Sequence, residues 1–152
     1  MMDGALAYLV DTNVLIYAYD AADPAKRRRA IDVLAKLASS GLGALSVQVL
    51  GEFYINIVRK PAVPLSPQQA RDTAIRLCRS WQVLDLTVRT HLDAVSAVTE
   101  HQMSYWDALI WATARQDHLP YVITEDQQHG RLVGEIRYLN PFSDEFDLST
   151  FA

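Results

Sequence analysis

Short apolar runs alternate with helix-like segments along the chain, and this alternation constrains the fold more than any single motif. Leu6 to Val10, Ala44-Leu45-Ser46, Gln82 to Leu86 and Tyr121-Val122-Ile123-Thr124 each read as a strand, with Ile136 to Leu139 a candidate fifth. Asn13 to Tyr19 reads as a short helix. Asp23 reads as an N-cap with Pro24 at the first helical position, opening a helix to about Ser39. Gly41 and Gly43 then punctuate the chain. Parallel strands need crossovers of this length, so the pattern predicts an α/β fold with a parallel sheet covered by helices.

The later helices are equally legible. Ser46 caps a segment running to about Lys60, whose Val47, Leu50, Phe53, Tyr54, Ile57 and Val58 follow the helical i, i+3, i+4, i+7 spacing. Pro61 and Pro64 end it. Ser66-Pro67 opens another, with Ala70, Ala74, Ile75, Leu77 and Cys78 apolar. Val88, Leu92, Val95 and Val98 mark the next. Ser104 to about His118 is apolar nearly all round, the pattern of a buried helix, and Pro120 ends it.

A length of 152 residues favours one domain, residues 1–152, and a chain that is 50% hydrophobic can build a sizeable core. Lys plus Arg number 14 against 18 Asp plus Glu, a formal charge of −4. That balance argues against a protein that coats nucleic acid non-specifically. It leaves room for a nuclease whose acids are neutralised by bound cations. The single Cys78 has no internal disulfide partner, which fits a reduced, cytoplasmic setting. No apolar run approaches a membrane span, and Asp3 is the only early charge, unlike the basic start of a signal peptide.

Four acids stand out by position. Asp11 ends the first strand, and ligands of open parallel sheets collect outside such strand ends. Glu52 lies in the helix after strand two, Asp107 in the first turn of the apolar helix, and Asp126 just after strand four. Each has a plain structural reading. Asp11 could cap a helix. Glu52 falls opposite the apolar stripe of its helix and reads alone as solvent-exposed. Asp107 lies three residues after Ser104, a capping-box spacing. Asp126 could be a turn residue before Gly130.

Together they say more. Asp11 and Asp126 follow strands expected to be parallel and central, so they converge at one sheet edge. Asp107 projects from a helix too apolar for the surface. Carboxylates forced together repel, and some stay protonated unless a cation joins them. Hard oxygen donors suit Mg²⁺ or Mn²⁺. His91, His101, His118 and His129 are scattered without zinc-like spacing and read as surface or packing residues.

Asp11-Thr12-Asn13, Gln48-Val49-Leu50-Gly51-Glu52-Phe53, Ser104-Tyr105-Trp106-Asp107-Ala108-Leu109-Ile110, Thr124-Glu125-Asp126 and the ending Tyr138-Leu139-Asn140-Pro141-Phe142 resemble the PIN domain. The resemblance is nearest to VapC-type ribonuclease toxins of toxin–antitoxin pairs, and it spans the chain in order. It implies a three-layer α/β/α fold around a parallel sheet of about five strands. It implies hydrolysis of RNA phosphodiester bonds by a Mg²⁺-activated water, with Mn²⁺ a substitute, leaving a 5′-phosphate and a 3′-hydroxyl. On this resemblance Asp11 and Asp107 are the primary metal ligands, and Glu52 and Asp126 complete the acidic pocket. Asn13 and Thr124 match positions that orient the carboxylates by hydrogen bonding. Glu125 adjoins Asp126 as an alternative ligand, with Asp126 preferred. The Gln127-Gln128-His129-Gly130 loop matches no family role.

The resemblance also implies a homodimer and a VapB-like antitoxin that inserts an arginine among the carboxylates, a charge-assisted contact. The apolar residues of the Val47–Lys60 and Ser66–Trp81 helices read equally as a dimer face or as core. Lys26-Arg27-Arg28-Arg29 is the one basic run, either a solvated helix face or a phosphate contact. Arg59-Lys60 complements a helix dipole. Trp106 and Trp111 read as core rather than as base-stacking platforms, and Trp81 as the more exposed tryptophan. The sequence names neither the substrate-binding residues nor the RNA.

Two alternatives remain. Asp11-Thr12-Asn13-Val14 is similar to the nucleophile motif of haloacid-dehalogenase-like phosphatases, where the first Asp attacks phosphorus. Asn13 stands where that family has a second Asp, and no Lys follows Lys60. A non-catalytic PIN-like binding module is the other; the presence of all four acids speaks against it. Fold alone decides neither.

Overall fold

Side-chain caps set where the helices of this chain begin. In the computed structural model, which describes residues 6–59 and 64–151, Asp23 accepts the Lys26 N–H and opens α2 (Pro24–Ser40). Ser46 accepts the Val49 N–H and opens α3 (Val47–Ile57). Ser66 and Gln69 exchange bonds in a capping box ahead of α4 (Pro67–Ser80), and Thr87 and Thr90 do the same ahead of α5 (Val88–Glu100). Ser104 caps α6 (Tyr105–Gln116) by accepting the Asp107 N–H at 3.2 Å. The first helix, α1 (Thr12–Tyr19), is capped by Asp11 itself. Helix α3 stops at Ile57 rather than near Lys60; Lys60 and Pro61 lie outside the described residues.

The strands are short and buried at the centre. They are β1 (Tyr8–Val10), β2 (Gly43–Ser46), β3 (Gln82–Leu84), β4 (Tyr121–Ile123), β5 (Leu132–Val133) and β6 (Ile136–Leu139). Their order across the sheet is β3-β2-β1-β4-β6-β5. Every pairing is parallel except β5 with β6. The sheet thus has six strands where about five were expected. The extra one is a two-residue strand that turns back through Gly134, whose φ of +55° suits glycine in a tight hairpin link.

The chain leaves β1 toward β2 and β3, then returns to the other side of β1 as β4. Helices α1 to α4 pack among themselves, while α5 packs along α6. Right-handed crossovers then place the two groups on opposite faces, giving the three-layer α/β/α arrangement. The reversal makes the crevice between β1 and β4 the place where ligands gather in such sheets. Register fixes what stands there. Val10 pairs with Ile123, so Asp11 and Thr124 emerge side by side.

Leu9, Val10, Leu45, Phe53, Val122 and Ile123 are fully buried at the centre. Helix α6 is buried continuously from Ala108 to Ala114, as its all-round apolar sequence predicts. Its tryptophans divide. Trp111 is buried and donates its indole N–H to the Val133 carbonyl at 3.0 Å. Trp106 is 61% exposed, because it sits in the first turn, before the helix enters the core. Trp81, expected at the surface, instead packs partly buried against Gly43, where a Cβ would stand 2.5 Å from its ring. Among the described residues no helix is long and apolar enough to cross a membrane.

Candidate active site

Asp11 is 6% exposed, and two donors hold it. Its Oδ1 accepts the Thr12 N–H at 2.7 Å and its Oδ2 accepts the Thr124 hydroxyl at 2.8 Å. The cap reading and the acidic-site reading of Asp11 therefore describe the same side chain. Thr124 is buried and its hydroxyl is fully used. It gives one proton to Asp11 and accepts from Asn13 Nδ2 at 3.1 Å and from the Asp126 N–H at 3.1 Å. Asn13 Oδ1 in turn accepts the Glu125 N–H at 3.2 Å. Asn13 and Thr124 thus lock the segment after β4 onto the segment after β1.

Asp11, Asp107 and Asp126 line one small pocket, floored by Thr124 and Tyr138. Its volume is about 10 Å³. That is room for about one water-sized guest. Glu52 does not line this pocket. It is partly buried rather than solvent-exposed, with Oε1 accepting from Gln48 Nε2 at 2.7 Å and Oε2 from the Thr12 hydroxyl at 3.4 Å. Gln48 also donates to the Trp106 carbonyl at 3.1 Å, tying α3 to the start of α6. Glu52 so reaches the site through Thr12, whose N–H Asp11 accepts, and through its charge.

Electrostatics follow from this crowding. Burial pushes the Asp11 carboxyl up to about 7, and the charges of Asp126 and Glu52 add to it against the opposing hydrogen bonds from Thr124 and Thr12. Asp126 is also raised, first by lost hydration and then by the charge of Asp107.

Glu125 faces elsewhere. It accepts the Tyr17 hydroxyl at 2.7 Å and forms an ion pair with Lys26. The Lys26 ammonium also lies 4.8 Å from the Tyr17 ring centre. So Asp126, not Glu125, reaches the pocket. Within the basic run, Lys26 is committed to Glu125 and the Arg29 guanidinium lies 5.7 Å over the Phe146 ring, while Arg27 and Arg28 are exposed. In the Gln127–Gly130 loop, Gln127 lines the pocket and accepts from Arg131 at 2.6 Å, and His129 Nδ1 accepts the Asn140 N–H at 3.0 Å. The other histidines are packing or surface residues: His91 bonds the Tyr105 hydroxyl, His101 packs at a tilt against the Trp111 ring, and His118 is exposed.

Three participants escape the sequence reading: Gln48, Gln127 and Tyr138. The first two carry no charge to single them out. Tyr138 sits two residues beyond Ile136 on the same inward face of β6, a period-two signal that the strand reading contained but did not use.

The donor set fits a hard divalent cation in chemistry: carboxylate oxygens from three directions, one of them held near neutrality by its surroundings. Among the described residues no three acidic, histidine or cysteine side chains close on a common centre as they stand. The carboxylates share a pocket without yet forming a ligand cage.

The PIN domain sequence profile matches residues 8–135. No curated protein matches the chain. Solved structures do. A toxin–antitoxin complex from Klebsiella pneumoniae superposes with a TM-score of 0.67 at 21% identity, covering 90% of this chain and 98% of that one. VapC20 of Mycobacterium tuberculosis, described as a sarcin–ricin loop cleaving toxin, gives 0.60 at 22% identity over 76% and 87% of the two chains. DNA-bound VapBC of Salmonella typhimurium gives 0.62 at 17% identity over 88% and 96%. At these identities the likeness is one of fold, and the profile match over most of the chain supplies the family: this chain belongs to the PIN domain family.

Proposed function

We propose that this protein is a divalent-cation-dependent endoribonuclease, the toxin of a VapBC-type pair. The observation that carries the reading is the pocket at the β1/β4 crevice, where Asp11, Asp107 and Asp126 surround space for one small guest. Similarity to an RNA-cleaving VapC and to VapBC complexes supports it. When bound, Mg²⁺, or Mn²⁺ in its place, supplies a Lewis acid for the scissile phosphate and lowers the pKa of water. Asp11, Asp107 and Asp126 are the residues that would hold it. Thr124 and Asn13 keep Asp11 and the Asp126 backbone in fixed orientation, and Glu52 holds Thr12 while adding negative charge beside Asp11. Family membership displaces the aspartyl-phosphatase alternative.

The VapB-like antitoxin has a seat of suitable chemistry. An apolar groove of about 390 Å³ runs between α1, α2 and α4, lined by Leu15, Tyr19, Ile31, Leu34, Leu77 and Trp81. Arg27 and Arg28 flank it near Ile31. An amphipathic segment fits such a groove. For the homodimer, α3 exposes Tyr54 and Ile55, but α5 carries the stronger stripe: Val88, Leu92 and Val95 are 76%, 59% and 48% exposed at helical spacing. A stripe of this kind can meet its own copy about a two-fold axis. The setting is cytoplasmic on this reading.

The test is cleavage of total RNA by the purified protein with Mg²⁺, compared with Asp11→Asn and Asp107→Asn. Both variants are expected to lose activity by about a hundredfold or more. Near-normal turnover in both would sink the proposal. RNA binding without cleavage by the unaltered protein would favour the non-catalytic module instead.

A further inference from the structure

Tyr138 is 2% exposed and its hydroxyl has no hydrogen-bond partner among the described residues. Buried polar groups in folded proteins are nearly always paired, so an orphan calls for an explanation. Phenylalanine would fill the same space without the penalty of stripping a hydroxyl of water. The backbone around it is firmly set. Tyr138 N–H donates to the Arg131 carbonyl at 2.8 Å, and the Gly130 N–H donates to the Tyr138 carbonyl at 2.8 Å. Parallel pairing also sets Tyr138 beside Val122 of β4, another residue lining the pocket. The orphan is therefore not the product of a loose segment.

Tyr138 lines the same pocket as Asp11, Asp107 and Asp126. Ionised carboxylates only accept hydrogen bonds, whereas a neutral phenol donates. Burial, with the negative charges of Asp107 and Asp11 behind it, pushes the Tyr138 phenol well above the ordinary tyrosine range, so the proton stays in place at neutral pH. The pocket thus presents negative oxygens and one unused O–H around space for about one water. A bare ion satisfies only the first of these; an ion held at the carboxylates with one of its waters in that space satisfies both.

We propose that Tyr138 is a positioning residue of the cation site, its hydroxyl donating a hydrogen bond to a water that enters the pocket in the hydration shell of the divalent cation. This rests on the cation-dependent nuclease reading and extends it to a residue whose partner arrives only with the ion. Partners that orient the groups around a metal commonly matter ten- to a hundredfold in its affinity.

The test is Mn²⁺ titration by calorimetry, without RNA, on the unaltered protein and on Tyr138→Phe. Thermal unfolding of both is recorded with and without Mn²⁺. The proposal expects the variant's Kd for Mn²⁺ to rise about tenfold or more. It also expects the ion-free melting temperature to hold or increase, because the variant removes an unpaired buried group. Equal Mn²⁺ affinities in the two proteins overturn the Tyr138 proposal alone. A lower ion-free melting temperature, or failure to fold, shows that the hydroxyl serves the folded chain itself and also overturns it. If the unaltered protein binds no Mn²⁺, this proposal and the cation-dependent reading fall together.

Discussion

The Thr124 hydroxyl donates to Asp11 Oδ2 at 2.8 Å across the β1/β4 pairing, and both side chains are buried. One hydroxyl therefore orients the acid at the end of β1 while accepting from Asn13 and from the backbone of Asp126. Thr124→Val keeps the shape and removes every one of these bonds. It is expected to cost about 1–3 kcal/mol in urea unfolding, since two part-buried donors lose their acceptor and the buried Asp11 loses a donor. Thr124→Ser, which keeps the hydroxyl, should retain cleavage activity far better than Thr124→Val.

Stability should depend on pH through Asp11. The carboxyl titrates near 3.8 ordinarily and near 7 when folded. Between these values the folded protein keeps a proton that the unfolded chain has released. Without divalent cations, stability is thus highest below about pH 4 for this group and is lost as pH rises toward 7, by roughly 4 kcal/mol at most. Asp126, raised in the same direction, adds to the slope. Urea midpoints at pH 5 and pH 8 should show the protein weaker at pH 8, and Asp11→Asn should largely flatten the difference. Millimolar Mg²⁺ should stabilise preferentially at pH 8, because binding requires the carboxylate form.

Adjacent acids should separate cleanly in function. Glu125 is taken up by Lys26 and Tyr17, whereas Asp126 faces the pocket. Glu125→Gln is expected to leave RNA cleavage within about threefold and to cost at most about 1 kcal/mol, as for a partly exposed ion pair. Asp126→Asn should slow cleavage at least tenfold with little change in melting temperature. A reversal of these two results would make Glu125 the fourth acid.

Two glycines offer a contrast in packing. A Cβ at Gly43 would lie 2.5 Å from Trp81 Cζ3 and 2.9 Å from Leu37 Cβ. Gly43→Ala should therefore destabilise by about 1–3 kcal/mol. Gly51, inside α3, has nothing within 4 Å of such an atom. Gly51→Ala should stabilise by about 0.5–1 kcal/mol through helix propensity. Chemical denaturation of both variants decides the matter.

The α5 stripe makes a prediction about assembly. Leu92→Glu places a charge amid Val88 and Val95 and should convert a dimer to a monomer in sedimentation without lowering the melting temperature of the monomer. A dimer that persists would put the self-contact elsewhere, with Tyr54 and Ile55 of α3 the next face to alter.

The elements that the sequence announces are those written in local chemistry. Asp23-Pro24, Ser66-Pro67 and Ser46 mark helix starts because capping is decided within a single turn. Asp11 and Asp126 are legible because an acid ending an apolar strand is expensive anywhere but a site. Features set by distant packing are not legible in this way. A helix apolar on all sides gives no phase, so nothing in α6 told Trp106 from Trp111. Trp81 looked free because its neighbour, Gly43, lies far away in sequence. Glu52 looked solvated because its helix phase ignores Thr12 and Gln48, which hold it. Strand β5 is two residues long, too short to carry an alternating pattern.

The strand order carries a consequence for synthesis of the chain. Asp11 is made long before its partners, because Thr124 lies 113 residues further along the chain, with Asp126 and Tyr138 later still. The central position of β4 means that no earlier segment can stand in for it. A growing chain therefore has no complete acidic pocket until β4 and the segment after it have been made.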